Sequence, residues 1–203
     1  MEIKRYVGGF LKSNGYIIYQ NEGGEAFVID PGYEAGRFLD YVKEKNLDVK
    51  GILLTHHHHD HVGAVKTIMD KLACPAYIHE ADAPYCGKFD PETFTDGAVF
   101  ELGAEKITAV NTPGHTKGGC CFCAESGDYF TGDTLFDTDI GRTDLEDGDP
   151  WGMAASLQLT VAKWPDDIRI WPGHGEGSTM AKVRKYNLEF VEAMELDLND
   201  ATK

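Results

Sequence analysis

The segment that follows residues 49–54 concentrates side chains that bind metals. It reads His-His-His-His-Asp-His and comes directly after an apolar, strand-like run. Residues two apart at a strand end point the same way, so His56 and His58 can aim at one ion. Asp60 and His61 lie past the strand end and can turn toward a second ion. Imidazole with carboxylate suits zinc or iron, and the internal position argues against a purification tag or a solvated polar loop.

Three further candidates lie in glycine-containing turns after predicted strands. His115 lies in Pro-Gly-His-Thr, Asp133 in Thr-Gly-Asp-Thr and His174 in Pro-Gly-His-Gly. Taken alone, each histidine has an ordinary reading as a surface residue, and Asp133 as a turn or cap residue. Glycine lets backbone approach an ion or substrate closely, and its recurrence beside every candidate favours one shared site.

Composition narrows the class of protein. The 203 residues fit one domain, predicted to span 1–203, and an apolar fraction of 42% can build a sizeable core. A formal net charge of −15 argues against nucleic acid as a partner, because phosphate binding needs clustered Lys and Arg. No apolar run suggests a membrane helix and no signal peptide opens the chain. The five cysteines are odd in number, which argues against a disulfide framework and favours a reducing, cytoplasmic location.

Hydrophobic periodicity predicts strands and helices in both halves of the chain. Strands are predicted at 2–7, 16–20, 26–29, 49–54, 76–78, 105–111, 119–124, 128–131 and 168–171. Helices are predicted at 34–45, 63–72, 151–163 and 179–194, with a single turn at 80–85 and loops at 87–96 and 137–149. Four strands end in a candidate ligand or its partner. Two facing sheets with helices outside would bring these strand ends together.

The ordered series His56-x-His58-x-Asp60-His61, His115, Asp133 and His174 resembles the ligand series of the metallo-β-lactamase-fold hydrolases. The corner Asp-Pro-Gly at 30–32 resembles the early acidic motif of that family. The likeness extends over nearly the whole chain. It implies an α/β protein with an αββα sandwich: two mixed β-sheets flanked by helices, with metals at one end.

The resemblance also implies a role for each motif residue. The first ion would be held by His56, His58 and His115, the second by Asp60, His61 and His174, with Asp133 as the bridge. Asp30 would orient the ligands from behind, as groups around metal sites do. The other histidines are expected to be spectators at His57 and His59 and a surface or structural residue at His79.

Within this family the chain resembles the glyoxalase II-like group of short hydroxyacylglutathione hydrolases. The stretches Gly-Asp-Thr-Leu-Phe at 132–136, Gly-Arg-Thr-Asp at 141–144 and Pro-Gly-His-Gly at 172–175 carry the likeness. Those enzymes hydrolyse thioesters such as S-D-lactoylglutathione. The longer members add a C-terminal helical domain that contacts glutathione, and no such domain is expected here.

Two divalent ions give this constellation its expected chemistry. Zinc is the first expectation, with iron or a mixed zinc–iron pair as the alternative. With Asp60 and Asp133 ionised as the catalytic carboxylates, the site keeps about two positive charges, and bound water ionises near pH 7 instead of about 15.7. The bridging hydroxide is then the nucleophile. Thiols ionise near about 8.5, so a thiolate leaves readily.

The expected partner is a small anionic thioester, and the oligomeric state stays open. Arg142 is the candidate substrate contact, since its fork suits a carboxylate, unless it pairs with Asp139 or Asp144. One alternative function is an iron-dependent persulfide dioxygenase, which by resemblance uses only His56, His115 and Asp133. A lactonase or other esterase of the same fold is a further alternative, and a non-enzymatic metal-binding module the last.

The ligand series predicts the effect of one substitution. Replacing His58 with alanine should remove the metal of the first site and nearly all hydrolysis, because two imidazoles hold an ion poorly. Elemental analysis and turnover of the same preparation measure both effects. Retained turnover by metal-depleted protein would contradict the mechanism.

Overall fold

Alternating buried side chains along the strands build two facing sheets. The computed structural model describes residues 1–199. The strands of the first sheet are β1 Glu2–Gly8, β2 Ser13–Tyr19, β3 Glu25–Ile29, β4 Asp48–Leu53, β5 Ala76–His79 and β6 Glu92–Phe94. Those of the second sheet are β7 Val99–Leu102, β8 Glu105–Asn111, β9 Cys120–Ala124, β10 Asp128–Gly132, β11 Arg169–Pro172 and β12 Ser178–Thr179.

Each sheet mixes antiparallel and parallel pairs. The first sheet runs in the order β1 to β6, antiparallel as far as β3 and parallel from β3 to β6. The second runs in the order β12, β11, β10, β9, β8, β7, with β10 and β11 parallel. Parallel neighbours need crossover connections, and helices supply several of them.

The helices cover the outer faces. They are α1 Ala35–Glu44, α2 His59–Val62, α3 Val65–Leu72, α4 Pro150–Leu159, α5 Met180–Tyr186 and α6 Leu188–Glu195. Short 3₁₀ turns lie at Ala83–Tyr85 and Val161–Lys163. The first sheet packs against α1 and α3, and the second against α4, α5 and α6.

Alternate side chains of β2 pack into two different hydrophobic clusters, one on each face of the sheet. Tyr16 and Ile18 point into the cluster between the sheets, whereas Ile17 and Tyr19 point toward α1 and α3. All four side chains are buried. A strand that is apolar on both faces therefore lies within a layered structure, and the predicted αββα sandwich is confirmed.

Three strands at the sheet edges differ from the sequence predictions. The segment 87–96, predicted as a loop, contains β6, which pairs in parallel with β5. The strands β7 and β12 were not predicted, and Thr179 of β12 was assigned to the closing helix. All three strands are short and carry polar residues, and Phe94 is the one buried side chain of β6. Their pairing comes from neighbouring strands, which local pattern does not reveal.

The predicted helices are right in position and wrong in continuity. The closing helix 179–194 is two helices separated at Asn187, whose Oδ1 accepts a hydrogen bond from Phe190 N and so caps α6. The amide Nδ2 of Asn187 donates to the backbone oxygens of Phe136 and Asp139. The predicted helix 151–163 likewise ends at Leu159, and 63–72 begins at Val65 after the separate helix α2.

The cysteines are packing residues of the sheets and helices. Cys74, Cys86, Cys120 and Cys121 are buried, and all five thiols are free. Burial raises the pKa of Cys86 and of Cys121 to about 11. It also raises the pKa of Cys120 well above its ordinary value.

Membrane-spanning helices require a long apolar stretch. Among residues 1–199, none of the helices combines the length and apolarity needed to cross a bilayer.

The interface between the sheets makes a prediction about stability. Phe122 is 0% exposed and lies between the sheets, so Phe122→Ala should lower the free energy of unfolding by about 3–5 kcal/mol. Phe10 is 95% exposed, so Phe10→Ala is the matched control and should cost less than about 0.5 kcal/mol. Urea denaturation measures both, and equal effects would contradict this packing.

Candidate metal centre

The strand β4 delivers the histidine cluster to one edge of the sandwich. After β4, the chain runs through Thr55 to His56 and then turns into the short helix α2, which carries Asp60 and His61. His56 and His61 are buried, and Asp60 nearly so. After the change from strand to helix, His56 and Asp60 belong to different groups of potential ligands.

Three histidines form the first of two ligand groups. One nitrogen from each of His56, His58 and His115 lies within 4.8 Å of the others. Nδ1 of His58 is 2.9 Å from Nε2 of His115, and Nδ1 of His115 is 2.7 Å from the backbone oxygen of Arg142. A proton on Nδ1 of His115 satisfies that oxygen and leaves Nε2 with a lone pair for a cation. We name this set the first group.

Asp60, His61 and His174 form the second group. Their ligand atoms also lie within 4.8 Å of one another. Nε2 of His61 is 3.3 Å from Nε2 of His174, and Nε2 of His174 is 3.3 Å from Oδ2 of Asp60. Nδ1 of His174 contacts the backbone oxygen of Leu11 at 3.1 Å. Two imidazoles and a carboxylate are a donor set that suits zinc or iron.

Asp133 lies between the two groups. Its Oδ2 is 3.4 Å from Nε2 of His115 and 3.4 Å from Nε2 of His174. Its Oδ1 is 3.5 Å from Nε2 of His61. A Cβ on Gly173 would approach Asp133 Oδ1 to 2.1 Å, so glycine is required for the close passage of this turn. The carboxylate therefore faces both groups at once.

Asp30 supports the cluster from behind. Its backbone has φ of 45°, a left-handed conformation that costs a non-glycine residue on the order of 1 kcal/mol. Its buried carboxylate accepts hydrogen bonds from Thr55 N at 2.8 Å and Thr55 Oγ1 at 2.5 Å. Oδ2 of Asp30 also lies 3.2 Å from Nδ1 of His61, while Thr55 Oγ1 is 3.0 Å from Nδ1 of His56. These contacts hold the two rings with Nε2 toward the centre.

Two histidines of the first group, His56 and His58, favour the neutral form. Burial lowers the pKa of His56 well below its usual value. Burial, together with neighbouring His115 and His57, lowers the pKa of His58 to about 4. Neutral imidazole is the form that ligates a metal. These two histidines therefore present lone pairs at neutral pH.

The histidines of the second group are surrounded by carboxylates that favour their protonated form. Burial acts to lower the pKa of His174, yet hydrogen bonds to Asp133 and Asp60 raise it to about 10. Burial also acts to lower the pKa of His61, but the carboxylates of Asp133 and Asp30 raise it. Burial acts to raise the pKa of Asp60 and of Asp133, but their histidine neighbours lower both values. This cluster of carboxylates attracts positive charge, whether proton or metal.

The residues fit a pair of bound cations. Nε2 of His56 and Oδ1 of Asp133 are buried and have no hydrogen-bond partner within the protein. A buried polar atom left unpaired costs about 1–3 kcal/mol, and coordination to a cation removes that cost. The donor set contains nitrogen and oxygen ligands in two adjacent groups. Both observations agree with the binding of metal ions at this edge of the sandwich.

The turn that carries His174 is tied to β2 by residues that the sequence reading missed. Asn14 is fully buried, and its Nδ2 donates to the backbone oxygens of Pro172 and Gly175. Tyr16 Oη donates to the same oxygen of Pro172 at 2.6 Å. Asn14 lies outside the strand predicted at 16–20, and Tyr16 is an ordinary member of that strand, so the sequence carried no clear signal for either contact.

The other histidines differ in their surroundings. His59 is exposed, and its Nε2 lies 3.5 Å from the hydroxyl of Tyr33. His79 is buried, and its Nδ1 accepts a hydrogen bond from Ala81 N, a structural role that agrees with the prediction. The ring of His57 is nearly buried and stacks on Tyr85, contacts that the sequence did not predict.

Both groups open into a cleft of about 900 Å³. His58, Asp60 and Asp133 lie at its floor, and Leu11 and Phe136 contribute apolar surface. Arg142 also lines the cleft, but it binds Asp144 in a bidentate pair, Nε to Oδ1 at 2.7 Å and Nη2 to Oδ2 at 2.8 Å. Of the two acidic partners predicted for Arg142, the structure selects Asp144.

Known proteins share this architecture. The family model described as the Metallo-beta-lactamase superfamily matches residues 8–174. The hydroxyacylglutathione hydrolase GloC of Haemophilus influenzae is 32% identical over 196 residues, which cover 87% of this chain and 92% of that protein. This chain belongs to the metallo-β-lactamase superfamily, and its histidine–aspartate cluster is suited to binding metal ions.

Two solved structures are similar along most of their length. The B3 metallo-β-lactamase BLEG-1 has a TM-score of 0.83 and 29% identity, with 92% of this chain and 98% of that chain covered. The protein TTHA1623 in a di-iron-bound form has a TM-score of 0.80 and 31% identity, with 91% and 98% covered. Relatives of this fold thus include proteins named for hydrolysis and one described with two irons.

The two groups should bind metal with different dependence on pH. His174, with a pKa of about 10 in the metal-free chain, must lose a proton, so affinity at the second group should fall at least about tenfold per unit as pH drops from about 9 to 7. His58, with a pKa of about 4, has no proton to lose there, so affinity at the first group should change little. Chelator-competition titrations on His58→Ala and His174→Ala isolate the two groups. Equal slopes would contradict this assignment.

Proposed function

We propose that this chain is a binuclear metal-dependent hydrolase of small acyl thioesters. The position of Asp133 carries the proposal, because one carboxylate oxygen lies 3.4 Å from a nitrogen of each group. A bridging carboxylate is the feature that joins two ions into one reactive unit. The cleft above it has room for a small acyl compound.

The ligands follow from the geometry and the family pattern. The first group, His56, His58 and His115, holds one ion. The second group, Asp60, His61 and His174, holds the other, with Asp133 shared. Zinc is the proposed metal, with iron or a zinc–iron pair as the alternative. Ions bound there lower the pKa of water and polarise a carbonyl.

The side chains of the chain prepare this site for attack on a carbonyl. Their histidine neighbours lower the pKa of Asp60 and Asp133, so both carboxylates stay ionised at neutral pH. Both line the cleft and can accept a hydrogen bond from the attacking water, which orients it toward the substrate. Asp30 and Thr55 keep His56 and His61 aimed at the centre, so little reorganisation is needed when a substrate arrives.

Leaving-group chemistry favours a thioester. A thiol has a pKa of about 8.5, so a thiolate departs from the tetrahedral intermediate without a proton. An amide nitrogen or an alkoxide requires proton donation at the same step. GloC, similar over 92% of its length, is named a hydroxyacylglutathione hydrolase, which supports S-D-lactoylglutathione as the first substrate to test.

Arg142 is the proposed contact for a negative charge on the substrate. It lines the cleft, and its side chain is 63% exposed in its pair with Asp144. Exposed ion pairs contribute little net stability, so a substrate carboxylate can replace Asp144 as the partner at small cost. The guanidinium fork matches a carboxylate in the same bidentate geometry.

The alternatives make different demands on the site. A persulfide dioxygenase, by family resemblance, uses one iron on His56, His115 and Asp133. The presence of a complete second group supports two ions instead of one. The di-iron form of TTHA1623 supports iron as an alternative metal. A lactonase or esterase uses the same two groups, so a lactone belongs in the test. BLEG-1 is named a β-lactamase, so a β-lactam belongs there too.

The test combines metal content with a substrate panel. Protein purified without added metal is analysed for ions per chain, and rates are compared on lactoylglutathione, a neutral acyl thioester, a homoserine lactone and a β-lactam. Two ions per chain and fastest turnover of a thioester are expected. One iron per chain with oxygen uptake on a persulfide would replace the hydrolase with the dioxygenase.

The proposed contact predicts a charge-specific effect. Arg142→Ala should raise KM roughly tenfold for an acyl thioester that carries a carboxylate and leave KM unchanged for a neutral one. Asp144→Ala is the matched control, because it removes the same ion pair and keeps the cation. It should leave or lower KM for the anionic substrate. A rise with Asp144→Ala equal to that with Arg142→Ala would mean that the pair only holds the loop.

A further inference from the structure

A buried carboxylate outside both groups connects the segments of the first group. Asp82 follows β5 and the short turn after it, and it is 0% exposed. Its Oδ2 accepts hydrogen bonds from His57 N at 3.1 Å and Thr116 Oγ1 at 2.8 Å. Its Oδ1 accepts from Gly118 N at 2.6 Å. A buried charge is tolerated when it is hydrogen-bonded in this way.

The donors to Asp82 are the chain neighbours of the first group. His57 lies between His56 and His58, and Thr116 follows His115 directly. One carboxylate therefore holds both of the segments that carry the three ligand nitrogens, although 57 residues separate His58 from His115 along the chain. Neither segment can shift relative to the other without breaking a buried, charge-assisted hydrogen bond.

The local sequence is adapted to this contact. A Cβ on Gly118 would lie 2.6 Å from Oδ1 of Asp82 and 2.8 Å from its backbone nitrogen. Only glycine lets the backbone N–H come within reach of the carboxylate. The turn after His115 is thus shaped to bind Asp82.

His57 extends the connection to the loop of residues 137–149, which lines the cleft and is called the loop over the cleft below. Its Nδ1 is 3.0 Å from Oδ2 of Asp82, in an electrostatic contact poorly aligned for a hydrogen bond. Its Nε2 is 3.6 Å from Oδ2 of Asp147, and its ring stacks on Tyr85 with centroids 4.3 Å apart. The same loop supplies the backbone oxygen of Arg142 that contacts the ring of His115.

We propose that Asp82 is a positioning residue that sets the spacing of the three nitrogens in the first group, with His57 carrying the constraint to the loop over the cleft. The inference rests on the proposed function, since it requires an ion at the first group. Asp82 acts through the backbone and through Thr116, and its oxygens are engaged by donors of the chain.

The decisive variant is Asp82→Asn, which keeps the shape and replaces one acceptor with a donor. The first ion should bind roughly 10–100-fold more weakly, as when a group behind a metal ligand is lost, and the second ion should bind with wild-type affinity. Chelator competition with zinc yields both dissociation constants. His58→Ala and His174→Ala, which leave only one group each, identify which constant belongs to which group.

A matched control uses the same chemical change on the surface. Asp70 on α3 is exposed and pairs with Lys66, so Asp70→Asn should leave both dissociation constants unchanged. Selective loss of the first ion in Asp82→Asn alone supports positioning. Wild-type affinity at both groups, or equal weakening of both, overturns it.

A milder variant keeps the test decisive if Asp82→Asn does not fold. Thr116→Val removes one donor to Asp82 and preserves the volume of the side chain, and it should weaken the first ion several-fold with the second unaffected. Unchanged binding of the first ion to folded Thr116→Val would overturn the proposal. A wild-type chain that binds fewer than two ions refutes the two-ion function itself, a result separate from any effect of Asp82.

Discussion

The burial of two carboxylates among histidine rings is the constraint on which the rest of this structure depends. Asp60 and Asp133 keep side-chain exposures of 9% and 10%, and their charges are not matched by any lysine or arginine among the described ion pairs. A charge removed from water must be balanced nearby. Here the balance comes from histidine protons or from metal ions, which ties the fold to cation binding.

The layered architecture makes such a centre possible. The two sheets provide a core that needs no contribution from the site, so the ends of β4, β10 and β11 and the turn after β8 can be given over to polar residues. Buried polar side chains from other parts of the chain also hold two of the ligand segments. Asp30 does this for the cluster and Asn14 for the turn that carries His174. These contacts restrain the site, although several of its ligands lie in loops.

Sequence reasoning succeeded where one local pattern determined the outcome. The strand predicted at 16–20 depends on a short segment, and the structure contains the strand Ser13–Tyr19 there. The alternation of His56 and His58 is equally local, and the structure places both in one group of potential ligands. It was less successful where a residue responds to distant partners. The break at Asn187 depends on the backbone oxygens of Phe136 and Asp139, and β6 exists because β5 lies beside it. Asp82 was missed for the same reason, since its donors are remote in sequence.

The sulfur atoms of the chain lie apart from this chemistry. Cys120 and Cys121 are buried in β9 and stay protonated at neutral pH, because burial raises the pKa of both thiols. Thiol–disulfide exchange needs an accessible thiolate, and these residues offer none. Thiolates can also compete with other ligands for zinc. Because these two thiols are buried and protonated, they do not compete with the histidine and aspartate ligands. A chain of this design can work in a medium rich in small thiols without forming mixed disulfides through Cys120 or Cys121.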